Sequence, residues 1–145
     1  MGASKYFSKE QQTQIVDAIK EAELNTSGEI RVHIESLCRV DVLDRAAWLF
    51  SFLKMDKTNL RNGVLVYVAV ESKKFAIIGD KGINRVVPSD FWNTVKDKMR
   101  LHFSDGRLSD GIAESVIEAG LQLKKYFPHE SDDVNELSDK ISFGN

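Results

Sequence analysis

The chain lacks the residues that would staple it covalently or hold it in a membrane. Its one cysteine is Cys38. A lone thiol makes no internal disulfide, which fits a reducing cytoplasm. No apolar run approaches the ~20 residues that a bilayer-spanning helix needs. Met1-Gly2-Ala3-Ser4-Lys5-Tyr6 has no apolar stretch of signal-peptide type. It also lacks the Ser or Thr at position 6 that N-myristoylation prefers. Charge of one sign is missing too: the net charge is −2 over 145 residues, which argues against a dedicated nucleic-acid binder. The expectation is a cytoplasmic protein with no direct membrane insertion. The 42% apolar and 29% charged residues exclude wholesale disorder, and the length suits one core.

The local patterns predict a mixed α/β chain. Helix 1 is expected over about 9–24, with Ser8 as N-cap and Gln11 as its capping-box partner. Ile15, Ala18, Ile19 and Ala22 form its apolar stripe. Residues 29–35 alternate polar and apolar without a break, as a strand with one buried face does. Its polar side (Glu29, Arg31, His33, Glu35) reads as a solvated sheet edge, although His33 there could also act as a general base or phosphate contact. Helix 2 is expected over about 41–54. One of its stripes (Val42, Ala46, Leu49, Phe50, Leu53) faces the core, and a second is Trp48, Phe52 and Met55.

Residues 64–70 are apolar or aromatic throughout, which predicts a central strand covered on both faces. A short link joins it to strand 3 over 75–78, so the two form an antiparallel hairpin. Strand 1 reaches strand 2 through a helix and is therefore parallel to it. A short helical turn is expected over 83–87, closed by Pro88. Helix 3 follows over about 90–103 with Ser89 as its cap, then helix 4 over about 109–126, stopped by Pro128. The domain is thus residues 1–127, followed by an acidic tail over 128–145. Without the tail's five acids and one lysine, the body carries 17 acids and 19 bases.

Catalytic motifs are scarce. There is no phosphate loop, dinucleotide fingerprint, HExxH or GxSxG. One constellation follows from topology. The starts of strands 1 and 2 and the end of strand 3 share a sheet edge, so Glu29, Asn62, Asp80 and Asn84 converge there. Carboxylates with neutral amide oxygens suit a hard cation such as Ca²⁺ or Mg²⁺. The same residues also suit ordinary turns and strand ends.

Ser27-Gly28-Glu29-Ile30, then Asn62-Gly63-Val64-Leu65-Val66-Tyr67-Val68-Ala69, then Gly79-Asp80-Lys81-Gly82-Ile83 with Pro88-Ser89-Asp90, resemble the TPM domain family. Phe103-Ser104-Asp105-Gly106 and Asp110-Gly111-Ile112 are similar to its ending. The resemblance implies a three-layer α/β/α sandwich around a small mixed sheet. It also implies, for some members, Ca²⁺ binding or weak acid phosphatase activity, and often a membrane protein encoded nearby. Arg61 stands where the family often has an acid, and Asn84 where it usually has Glu. Fewer carboxylates at that edge imply weak Ca²⁺ or Mg²⁺ binding at most and no required cofactor.

The expectation is therefore a non-catalytic accessory module for a protein partner, with a metal-dependent phosphatase or a Ca²⁺-binding module as alternatives. The tail is expected to dock on a protein surface through Leu137, Ile141 and Phe143. Leu137 and Ile141 are spaced for one helical turn, and Trp48, Phe52 and Met55 are the expected docking surface.

Overall fold

The computed structural model describes residues 2–130 and 136–145. Helix α1 (Lys9–Asn25) starts at the capping box that its sequence encodes: Ser8 Oγ accepts from the Gln11 N–H at 3.1 Å, and Gln11 Oε1 accepts from the Ser8 N–H at 2.9 Å. Strand β1 (Glu29–Glu35), helix α2 (Val42–Phe52), strand β2 (Gly63–Ala69) and strand β3 (Lys74–Gly79) follow. Next come the short helix α3 (Lys81–Asn84) and the helices α4 (Asn93–Ser104) and α5 (Leu108–Leu123). A two-residue strand β4 (Ser142–Phe143) completes the order.

The sheet runs β3-β2-β1-β4, with β1 parallel to β2 and to β4, and β2 antiparallel to β3. Every residue of β2 is buried, as its unbroken apolar run requires. On one face Ile30, Val32, Ile34, Val64, Val66 and Val68 pack with residues of α1, α4 and α5 such as Ile19, Met99 and Val116. Helices α1 and α5 approach closely at Gly120, where a Cβ would lie 2.8 Å from that of Ala22. On the other face Leu65, Tyr67 and Ala76 pack with Ala46, Leu49 and Phe50 of α2, with Met55, and with Leu137. These three layers form an α/β/α sandwich.

The structure corrects several sequence expectations. Strand β1 is interior, because Ser142 and Phe143 pair with His33 and Ile34 on its outer side. Its polar face is not solvated: Glu29, His33 and Glu35 are all buried, and their polar atoms find partners inside the protein. Residues 136–145 contain no helical turn. They bend at Leu137 and Lys140 before entering β4, with Leu137 in the α2-side cluster and Ile141 and Phe143 packed against the opposite one. Helix α4 starts at Asn93, three residues later than expected. Its N-cap position is Trp92, and Ser89 does not cap it. Met55 leaves the Trp48–Phe52 stripe because α2 stops at Phe52. Lys54 then takes a left-handed conformation (φ +58°), and a 3₁₀ turn carries Met55 into the core, fully buried.

Candidate functional site

Two groups of polar residues sit at opposite ends of β1. At its carboxyl end, Glu35 is surrounded by donors. Its Oε1 accepts from Tyr67 Oη at 2.6 Å and from Arg45 Nε at 3.0 Å, and its Oε2 accepts from Arg45 Nη2 and from His33 Nε2, the latter at 3.1 Å. Burial alone would raise the Glu35 carboxyl. The hydrogen bonds from Arg45, Tyr67 and His33 outweigh it and hold the group below its usual range. An ionised Glu35 accepts only, so His33 carries its proton on Nε2 and its Nδ1 accepts from Ser142 Oγ at 2.8 Å. Burial, only partly opposed by Glu35, lowers the His33 pKa. The neutral imidazole thus bridges β4 to the buried carboxylate.

This cluster floors a cavity of about 790 Å³ between α2, residues 37–40 and residues 142–145. Two aromatic rings stand on its α2 wall. Trp48 and Phe52 stack with centroids 4.9 Å apart, and the Arg45 guanidinium lies 5.0 Å from the Trp48 ring centre. Both rings remain exposed, at 54% and 64%. The docked tail therefore leaves them uncovered, and Phe143 forms part of the opposite wall. Of the six residues expected to share one partner surface, Trp48, Phe52 and Phe143 line this cavity. Met55, Leu137 and Ile141 do not.

At the amino end of β1 the expected convergence of chain segments holds. The Glu29 N–H donates to Asn62 O at 3.1 Å, and the Asp80 N–H donates to Gly63 O at 2.9 Å. The side chains have separate partners. Glu29 Oε1 accepts from the Leu137 N–H at 2.6 Å. Arg61, left-handed at φ +51°, clamps Asp80 through Nε–Oδ2 at 2.7 Å and Nη2–Oδ1 at 2.9 Å. Asp80 also caps α3 by accepting from the Lys81 N–H. Gly82 is required there, since a Cβ would stand 2.2 Å from Leu60 O. Asn62 Nδ2 donates to Ser27 O and Asn84 Nδ2 to Gly79 O, at 3.1 and 3.0 Å. Among the described residues, no group of three or more His, Cys, Asp or Glu side chains is placed to share a metal ion.

Sequence reasoning missed one feature at this end. Burial pushes Glu29 up to about 7. Burial and then Asp139 push Glu23 up to about 9. The tail thus brings carboxyl groups against carboxyl groups. No local motif marks such pairs, because more than a hundred residues separate their members.

The TPM domain family model matches residues 3–121. The chain belongs to the TPM domain family. The NMR structure of the BA42 protein from the psychrophilic bacterium Bizionia argentinensis is 52% identical to this TPM domain. It superposes with a TM-score of 0.91 over 96% of each chain. The N-terminal domain of a P. gingivalis protein shares 17% identity and a TM-score of 0.71, covering 86% of this chain and 81% of its own. The N-terminal domain of a Corynebacterium glutamicum protein shares 13% and 0.64, covering 98% and 82%. These two show the fold alone. No curated protein matches the chain. Within this TPM domain, no helix among the described residues is long and apolar enough to cross a membrane.

Proposed function

We propose that this TPM domain is a non-catalytic accessory module that binds a protein partner in the cavity beside α2. The supporting observation is the exposed Trp48–Phe52 stack on the cavity wall. Two adjacent large rings left in water are a liability unless something covers them, and Trp with Arg is the composition of interface hot spots. Arg45 is already held by Glu35, so the anchor presents a fixed shape and orders little on binding. Leu37 and Val40 extend the apolar wall, and Arg39 adds a cation. The partner that fits is a segment with apolar or aromatic anchors flanked by acids, and a membrane protein encoded nearby is one source of such a segment.

The reading needs no cofactor. Ca²⁺ or Mg²⁺ at the Glu29–Asp80 edge would bind weakly, because Arg61 already satisfies Asp80. The test is photo-crosslinking from position 52, identification of the adduct, and titration of that purified partner. Trp48→Ala is expected to weaken binding at least tenfold. Equal affinity of wild type and Trp48→Ala would sink the proposal.

A further inference from the structure

A second cavity, of about 540 Å³, opens at the hairpin end of the sheet on the face opposite α2, between the β2–β3 hairpin and the α4–α5 corner. We infer that it binds a small amphipathic anion, a single carboxylate on an apolar chain or ring, held between Lys73 and Arg100. This site is separate from the Trp48–Phe52 wall and does not rest on the partner-binding reading.

The cavity has apolar walls and a cationic rim. Val70, Phe75, Phe103 and Leu108 line it, each only half-buried although packed against the core. Phe75 and Phe103 meet edge to face with centroids 5.7 Å apart, which leaves ring surface to cover an apolar body. The size falls within the range of small-molecule sites. Lys73, Lys74 and Arg100 also line it, and among the described residues no acidic side chain does. Lys74 Nζ is engaged with Cys38 O at 3.3 Å, which leaves Lys73, and Arg100 once it exchanges its surface partner, as the cations to hold an anion. The Arg100 guanidinium lies 5.7 Å from the centre of the Phe75 ring, so its charge stands over an apolar wall. Its carboxylate partner among the described residues is Asp97, in a pair exposed on both sides and therefore easily exchanged.

The walls are preorganised. Lys73 holds a left-handed conformation (φ +55°) at the hairpin turn, uncommon for a lysine. The turn is pinned from behind: the Glu71 N–H donates to Ser36 O at 2.7 Å, and Ser72 Oγ accepts from the Cys38 N–H at 2.8 Å. Across the cavity, Gly106 (φ +75°) leaves open space where a side chain would stand. A neutral apolar ligand would use the rings and waste both cations. A carboxylate with an apolar body uses both.

The test titrates the ¹⁵N-labelled full chain with decanoate and, separately, with decanol. Decanoate is expected to shift the amides of Lys73, Phe75, Ser104 and Leu108, and to leave those of Trp48 and Phe52 in place. Arg100→Met keeps the apolar stem over Phe75 and should weaken decanoate about tenfold while leaving decanol unchanged. Lys73→Asn, a residue that tolerates the left-handed backbone, should weaken it similarly. Equal affinity for acid and alcohol, shifts centred elsewhere, no shifts, or an Arg100→Met variant that binds decanoate like wild type would each overturn the inference.

Discussion

Arg61 grips both carboxylate oxygens of Asp80, with Nε at 2.7 Å and Nη2 at 2.9 Å. The pair places a cation at the sheet edge where a divalent ion would otherwise find a charged ligand. Calorimetric titration of the wild type with Ca²⁺ or Mg²⁺ is expected to give dissociation constants no tighter than the high micromolar range. Arg61→Gln frees Asp80 and should tighten binding. Low-micromolar affinity in the wild type would contradict this account.

Catalysis follows the same logic. Hydrolysis of a generic phosphate ester at mildly acid pH should not rise above the buffer background. Turnover that Asp80→Asn abolishes in a folded protein would favour the phosphatase alternative.

Leu65 is fully buried in β2 between Arg31 of β1 and Ile78 of β3. Leu65→Ala should cost about 2–5 kcal/mol in denaturant unfolding. A loss below about 1 kcal/mol would mean that α2 does not close over the sheet.

Folding stability should fall as pH rises through the neutral range because the carboxyls of Glu23 and Glu29 are both raised in the fold, and Glu29 is the one that substitution tests. Its carboxyl is raised to about 7, burial being the main cause, so the native state holds a proton that the unfolded chain has already lost above about pH 4.3. Stability from this group is full below the unfolded value and declines as pH climbs to the folded one. His33 and Glu35, lowered in the fold, act in the opposite direction at acid pH. The Glu29→Gln difference isolates the Glu29 contribution: the variant should gain on the wild type between pH 5 and 8 in thermal unfolding. A pH-independent difference would refute the assignment.

Gly144 follows β4 where a Cβ would lie 2.8 Å from Glu35 Cγ and 3.1 Å from His33 Nε2. Gly144→Val should therefore push β4 off β1. The amides of Ser36 and Gly144, which bond Asn145 O and Ile34 O, should then exchange faster with solvent. Unchanged protection would show that the strand tolerates the bulk.

Much of the fold was legible because its signals are local. Ser8 with Gln11 marks the start of α1, the alternation over 29–35 gives β1 its limits, and the apolar run of β2 announces a covered strand. The rest depends on distant partners. Ser142 and Phe143 carry no strand signal of their own, and only pairing with β1 makes them one. A polar face that is satisfied internally looks the same in sequence as one that faces water, so Glu35 and His33 read as solvated. Met55 shows the limit of periodicity: its spacing from Trp48 and Phe52 has meaning only while the helix continues, and α2 ends first. At the sheet edge, topology correctly gathered Glu29, Asn62 and Asp80, but the direction of each side chain was set by partners such as Leu137 that no spacing reveals.

The position of β4 in the chain has a consequence for biosynthesis. Ser142 meets His33 across 109 residues. At elongation rates of about 5–20 residues per second, β1 waits roughly 5–20 s on the ribosome before its outer neighbour is made. During that interval the hydrogen-bonding edge of β1 is open, and His33 lacks the hydroxyl that later engages it. An open edge is a template for any other nascent strand. Slowed translation of the codons for residues 97–141 should therefore lower the soluble yield more than slowed translation of the codons for residues 1–28.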